Sequence, residues 1–203
     1  MKTKILLLSL CLITGCSTVQ APPHTHKDAC QLFQYDKDWY RAADKAEKKW
    51  KVPKSIILAF IHQESRFKSN ARPKRDYFLG LIPLPRRSSA YGYSQAKDGT
   101  WSDYKRHTGN RFASRDDIED AMDFIGWYNH MSHKELGISK RDAKRLYLAY
   151  HEGRGGYRRK TYTKKPWLMK VANKVARQAA IYQKQIRQCG KHYQCTAPWP
   201  FCR

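Results

Sequence analysis

Apolar residues recur along this chain mainly at helical spacing, and strand-type alternation is nearly absent. From Asp36, Trp39, Ala43, Ala46 and Trp50 fall on one face, which predicts a first amphipathic helix. Pro53 opens a second helix, since proline is tolerated at a first helical position. Its stripe is Ile57, Phe60 and Ile61, and the next residue on that face is Glu64. Residues 68–87 combine three prolines with the run Phe78-Leu79-Gly80-Leu81-Ile82, which predicts an irregular loop or short hairpin. Approximate capping boxes at Thr100/Asp103, Ser114/Asp117 and Ser139/Asp142 predict three further helix starts. The second of these helices carries Ile118, Ala121, Met122, Ile125 and Tyr128; the third ends in Leu146, Ala149 and Tyr150 and stops at Gly153 and Gly155-Gly156. After Pro166 a long helix carries Leu168, Val171, Val175, Ala179 and Ile186. The predicted fold class is mostly α, with an inserted loop.

Charge narrows the partners, and the first residues set the compartment. The chain has 203 residues, 40 of them Lys or Arg against 17 Asp or Glu, for a formal charge of +23. Such an excess points to an anionic partner: nucleic acid, a membrane face or an acidic polymer. No run of about 20 apolar residues is present, as a membrane-spanning helix would need. Lys2 and Lys4, the apolar run Ile5–Leu12 and small residues before Cys16 have the layout of a secretory signal. Ile13-Thr14-Gly15-Cys16 resembles the bacterial lipobox, which implies a signal peptide over residues 1–15 and acylation of Cys16. Ser17 after that cysteine implies sorting to the outer membrane, on its periplasmic side. Residues 16–34 then read as lipidated cysteine and tether, with Pro22-Pro23 and no apolar period up to Lys27. Residues 35–188 form the folded domain, and 189–203 a basic, cysteine-rich tail.

In an oxidising compartment Cys30, Cys189, Cys195 and Cys202 predict two disulfides with three possible pairings, which would tie the tail to the body. Zinc on Cys189, Cys195, Cys202 and His192 is the weaker alternative, because the spacing forms no tight CxxC knuckle.

Candidate chemistry centres on Glu64. A carboxyl at the end of a helix, beside the apolar stripe of Phe60 and Ile61, meets both desolvation and the negative end of the helix dipole. Both raise its pKa, as an acid catalyst of glycosidic cleavage requires. Its neighbours carry a family resemblance. His62-Gln63-Glu64-Ser65-Arg66-Phe67 resembles the catalytic Glu-Ser motif of the soluble-type lytic transglycosylases, which share a lysozyme-like fold. Ser88-Ser89-Ala90-Tyr91-Gly92-Tyr93-Ser94-Gln95 is similar to their Ser-x-Ala-x-Gly-Leu-Met-Gln, and Gly99-Thr100 falls where they begin the next helix. Ala149-Tyr150-His151-Glu152-Gly153 is similar to their Ala-Tyr-Asn-x-Gly. The motifs stand in family order from about Trp50 to Tyr162.

The resemblance implies that Glu64 cleaves the bond between N-acetylmuramic acid and N-acetylglucosamine in peptidoglycan glycan strands, without water, leaving 1,6-anhydro ends. It implies no metal and no cofactor, with Tyr150 hydrogen-bonded to Glu64, Ser88 and Gln95 lining the site, and Ser65 and His151 in supporting positions. Three departures alter that picture. Tyr93-Ser94 in place of Leu-Met puts polar side chains on a wall of the groove; His151 replaces an amide with an imidazole; and the stretch from Glu64 to Ser88 is lengthened by the basic, proline-rich insert 72–87. Glu152 and Asp76 are the candidates for a second carboxylate, as a goose-type hydrolase would need. A wall-binding lipoprotein without activity is the other alternative. A nucleic-acid partner has only the charge in its favour, with no recognised motif. Any partner in the envelope or in a secretion machine is left unnamed by the sequence.

Overall fold

A computed structural model describes residues 26–193; the signal and lipobox with Cys16, the tether up to residue 25, and Cys195 and Cys202 lie outside the described residues. Seven helices and one small hairpin follow in the order α1 Ala29–Tyr35, α2 Lys37–Trp50, α3 Lys54–Glu64, β1 Tyr77–Phe78, β2 Ile82–Pro83, α4 Asp98–Thr108, α5 Ile118–Leu136, α6 Ala143–Arg158 and α7 Pro166–Tyr193, with a 3-10 turn Thr161–Lys164 before α7. The mostly helical body with its small inserted hairpin is the expected class.

The placement of α3 decides the architecture. Every side chain from Ser55 to His62 is buried, so the helix is enclosed rather than facing the core with one stripe. It packs on α7, α2 and α5, while α2 crosses α5 and α6 lies on both α5 and α7. Gly126 makes the α2–α5 approach possible: a Cβ there would lie 2.5 Å from the Trp50 ring. Asp123 on α5 accepts from Trp50 Nε1 at 2.7 Å, Lys49 Nζ at 2.9 Å and the Tyr104 hydroxyl at 2.8 Å, joining α2, α4 and α5. Pro53 is the residue before the first turn of α3 rather than its first member.

Helix starts also differ from the predicted boxes. The caps of α5 and α6 are Asp117 and Asp142, whose carboxylates accept from Asp120 N and Arg145 N. Ser114 and Ser139 stand in the turns just before them. An aspartate bonds the free amide more strongly and favours the positive helix end, so the cap settles on the acid. Helix α4 begins at Asp98, ahead of Thr100, with Lys97 before it and no side-chain cap.

The folded body reaches further at both ends than the predicted boundaries 35 and 188. Helix α1 lies within the expected tether, with Leu32 and Phe33 fully buried, and α7 runs on through Cys189 to Tyr193. Helix α1 is too short to show a period, and tertiary anchors hold it. Cys30 is bridged to Cys189, Ala29 N donates to Gln185 Oε1 at 3.0 Å, and Phe33 lies edge-on to Tyr40 and Tyr193. The bridge removes Cys189 from the alternative zinc set.

Candidate active site

Glu64 is the last residue of α3, and the chain turns away sharply behind it. Arg66 and Phe67 are both left-handed, at φ 53° and 61°, a sparsely populated state for residues with side chains. What holds them is Phe67, buried and stacked on Trp39 at 5.3 Å. Two successive strained residues persist because that packing over-determines them, and they fix where α3 stops.

The half-buried Glu64 opens into a cleft of about 410 Å³ whose walls come from three distant segments. Ala90, Gln95 and Ala96 ahead of α4, Phe124 and Tyr128 of α5, and Tyr150, His151 and Glu152 of α6 line it together with Glu64. The three motif regions therefore converge on one cavity.

The Gln95 side rests on a tight turn. Gly92, at φ 74°, sits so close to the chain that a Cβ would lie 2.0 Å from the Arg115 carbonyl oxygen. The guanidinium of Arg115 donates to the Ser89 and Ala96 carbonyls at 2.9 and 2.8 Å, and its own carbonyl accepts from Tyr93 N at 3.0 Å. Arg115 thus clamps a segment to which it is distant in sequence. Gly92→Ala is expected to cost roughly 2–4 kcal/mol, from the left-handed backbone and the clash together. Denaturant unfolding checks this; unchanged stability would mean that the turn rearranges freely.

Electrostatics separate the two carboxyls of the cleft. Burial raises Glu64 to about 7, against a hydrogen bond from Tyr147 that lowers it. Its position at the negative end of α3 works in the same direction as burial. For Glu152, burial is outweighed by hydrogen bonds from Lys165, Thr161 and His151, and its carboxyl is held at about 2. Lys165 Nζ lies 2.8 and 3.0 Å from its two oxygens, and His151 Nδ1 lies 3.1 Å from one. Glu152 is therefore neither a solvated helix end nor a free base. Asp76 accepts from Arg87 at 2.7 Å at the hairpin root, outside the cleft wall.

The tyrosine bonded to Glu64 differs from the one expected. The Tyr150 hydroxyl donates to the Ser94 carbonyl at 2.6 Å, while Tyr147, one helical turn earlier, bonds Glu64. Both rings pack edge-on to Phe60 at 5.3 Å, so α6 delivers the pair against the α3 face that carries Glu64. The signal for Tyr147 was its spacing of three from Tyr150, which puts both on one helix face. Tyr147→Phe is expected to lower turnover roughly fivefold and to move the Glu64 ionisation to higher pH, because the bond that favours the carboxylate is lost. A pH–rate profile reads both effects.

Gln95 lines the cleft at φ 52°, with its amide nitrogen donating to the Ala71 and Gly92 carbonyls at 2.8 Å each. Only its carbonyl oxygen is left for a ligand. Ser88 is not among the lining residues; its hydroxyl accepts from Ala90 N at 3.2 Å and shapes the turn. Ser65 is buried and donates to the Ile61 carbonyl, closing the helix end. Tyr93 and Ser94 also depart from expectation. Ser94 is fully buried and Tyr93 rests edge-on to Trp39, so these replacements alter the packing behind the wall rather than the wall itself. His151 is exposed at the cleft edge, its ring edge-on to the half-exposed Trp167, an aromatic that sequence reasoning left unassigned. His130 is held by Lys140 and the Trp50 carbonyl, and His133 by the Ile138 carbonyl.

A carboxyl poised near neutrality in an open, aromatic-lined cleft, with a second carboxyl locked to a lysine in the same cleft, defines a single-acid site on a helical scaffold. The profile described as Transglycosylase SLT domain matches residues 4–189, most of the chain, and the chain belongs to that family, whose members are generally lytic transglycosylases that bind peptidoglycan. No curated protein matches the chain.

Proposed function

We propose that this chain is a lytic transglycosylase that cuts the β-1,4 bond between N-acetylmuramic acid and N-acetylglucosamine and leaves 1,6-anhydro ends. The observation carrying this reading is the asymmetry of the two cleft carboxyls: Glu64 ends α3 in the cleft with its pKa raised by burial, while Glu152 is tied to Lys165 Nζ at 2.8 and 3.0 Å. Protonated Glu64 gives its proton to the bridging oxygen as the C1–O bond breaks, and the N-acetylglucosamine side leaves as an alcohol. The substrate's N-acetyl oxygen supports the positive C1. Glu64, now a carboxylate, removes the proton from the C6 hydroxyl, whose oxygen closes on C1. The acid is regenerated and no water is consumed. One group with a pKa near the working pH serves as acid and then as base. A hydrolase would need a second carboxylate free to activate water. Glu152 is held by Lys165 and Asp76 lies outside the cleft wall, which supports the non-hydrolytic outcome.

We infer from the lipobox-like Ile13-Thr14-Gly15-Cys16 that the chain is exported, acylated at Cys16 and tethered to the periplasmic face of the outer membrane. Mass spectrometry of products from purified peptidoglycan tests the chemistry. Muropeptides one water lighter than the reducing forms support it. Reducing-end products would make the enzyme a hydrolase, and no products from folded protein that still pellets with the wall would leave a binding domain.

A further inference from the structure

The insert between Phe67 and Ser88 forms a hairpin with an unusual tip. Tyr77 pairs with Pro83 and Phe78 with Ile82, and Leu81 N donates to the Phe78 carbonyl at 3.1 Å, closing a two-residue turn. Both turn residues are left-handed, Leu79 at φ 50° and Gly80 at φ 73°. The first of these positions suits Asn, Asp or Gly, whose backbones accept it readily. Here it holds a leucine that is 80% exposed, with Leu81 beyond it 83% exposed. Folding gains nothing from either side chain. Every residue from Lys74 to Pro85 is exposed, and no charge interrupts Tyr77 to Leu84. Lys74 and Arg75 stand exposed at the root, beside Arg72 over the Tyr91 ring at 4.4 Å and Arg87 paired with Asp76, and Arg86 ties the root by donating to the Pro73 carbonyl.

We propose that Tyr77–Leu84 is a membrane-inserting tip, which enters the interface of an anionic bilayer while the basic residues at its root bind the headgroups. Apolar apex, aromatic shoulders and basic collar follow the order of environments met on going from acyl chains through the interface to phosphate. The hairpin bonds its own backbone, through Leu81 N and through Leu84 N to the Asp76 carbonyl at 2.9 Å, which lowers the cost of leaving water. A second copy of the chain is disfavoured as the occupant, since the net charge of +23 repels its like. A glycan strand fits poorly too: sugars stack on aromatic faces and gain little from Leu79, Leu81 and Ile82. The route of the chain agrees. His26, where the described residues begin, lies 4.8 Å ring to ring from His62, near the end of α3 from which the insert departs. Residues 16–25 span at most about 35 Å, so a lipid on Cys16 stays within about that distance of His26.

The proposal takes its membrane from the tethered reading above, but its test needs neither lipidation nor activity, so each can fail alone. The polypeptide 17–203 retains the buried core and the Cys30–Cys189 bridge. It is sedimented with vesicles of phosphatidylglycerol and phosphatidylethanolamine, and with phosphatidylcholine vesicles. Preferential binding to the anionic vesicles is expected, with part of it surviving about 1 M NaCl, where surface charges are screened. Leu79→Asp with Leu81→Asp should weaken it at least tenfold, and Lys74→Gln with Arg75→Gln about tenfold, at unchanged melting temperature. Absence of binding overturns the proposal. So does binding that the aspartates leave unchanged, which would be adsorption through the basic surface alone. Self-association lost in the aspartate variant, or loss of sacculus binding without vesicle binding, would assign the hairpin to a second copy or to the glycan.

Discussion

Glu64→Gln is expected to lower the yield of anhydro-muropeptides by roughly 10²–10⁴-fold while leaving binding to peptidoglycan intact. The amide keeps the shape and the contact with Tyr147 but can neither give a proton to the leaving oxygen nor take one from the C6 hydroxyl. In the parent chain the rate should fall about tenfold per pH unit above 7, as the acid form is depleted. The same substitution separates function from stability. The folded carboxyl titrates at about 7 against an ordinary 4.5, so the folded state holds more protons than the unfolded chain between these values. Parent stability therefore declines from about pH 4.5 to 7 and levels off above, whereas the glutamine variant has no such decline. At pH 8 the variant should be the more stable by roughly 1–3 kcal/mol, and near pH 4 the two should coincide. Denaturant unfolding at both pH values decides it. Equal stability at pH 8 would mean an ordinary carboxyl, and full activity of the variant would remove Glu64 from the mechanism.

Loss of the Cys30–Cys189 bridge is expected to cost about 2–5 kcal/mol, or on the order of 5–15 °C in melting temperature. The cysteines are 159 residues apart, so the bridge closes nearly the whole described chain and restricts its unfolded state strongly. It also holds α1, together with buried Leu32 and Phe33, the rings of Tyr40 and Tyr193 against Phe33, and hydrogen bonds to Gln185 and from the Tyr193 hydroxyl to Cys30 O. Cys30→Ser should reproduce most of the effect of reducing the parent protein. If the variant is as stable as the oxidised parent, the bridge contributes nothing. If reduction costs much more than the substitution, the remaining cysteines, Cys195 and Cys202, contribute as well.

The helices were legible wherever an apolar stripe ran for three turns or more, as in α2, α5 and α7. Helix α1 was hidden because a helix of seven residues has no measurable period, and distant partners stabilise it. The capping boxes pointed to the right turns but to the wrong cap, since sequence spacing cannot rank serine against a neighbouring aspartate for the same amide. Glu64 stood out through its setting at the end of an apolar helix. Tyr147, Arg115 and the fate of Glu152 did not: the first two act through partners on other elements, and Glu152 meets Lys165 only because the chain turns back after α6.

Local order and its punctuation determined a great deal: a helical body, an insert after Glu64, a cysteine pattern suited to oxidation, and one carboxyl in an apolar setting. These follow from periodicity, from proline and glycine, and from the cost of placing charge beside greasy residues, all of which act over a few positions. Only the tertiary structure decided which cysteine Cys30 meets, which tyrosine bonds Glu64, and that Lys165 neutralises the second carboxyl. Contacts across long stretches of chain are set by how whole helices pack, and a buried carboxyl takes its pKa from the neighbours that packing brings to it.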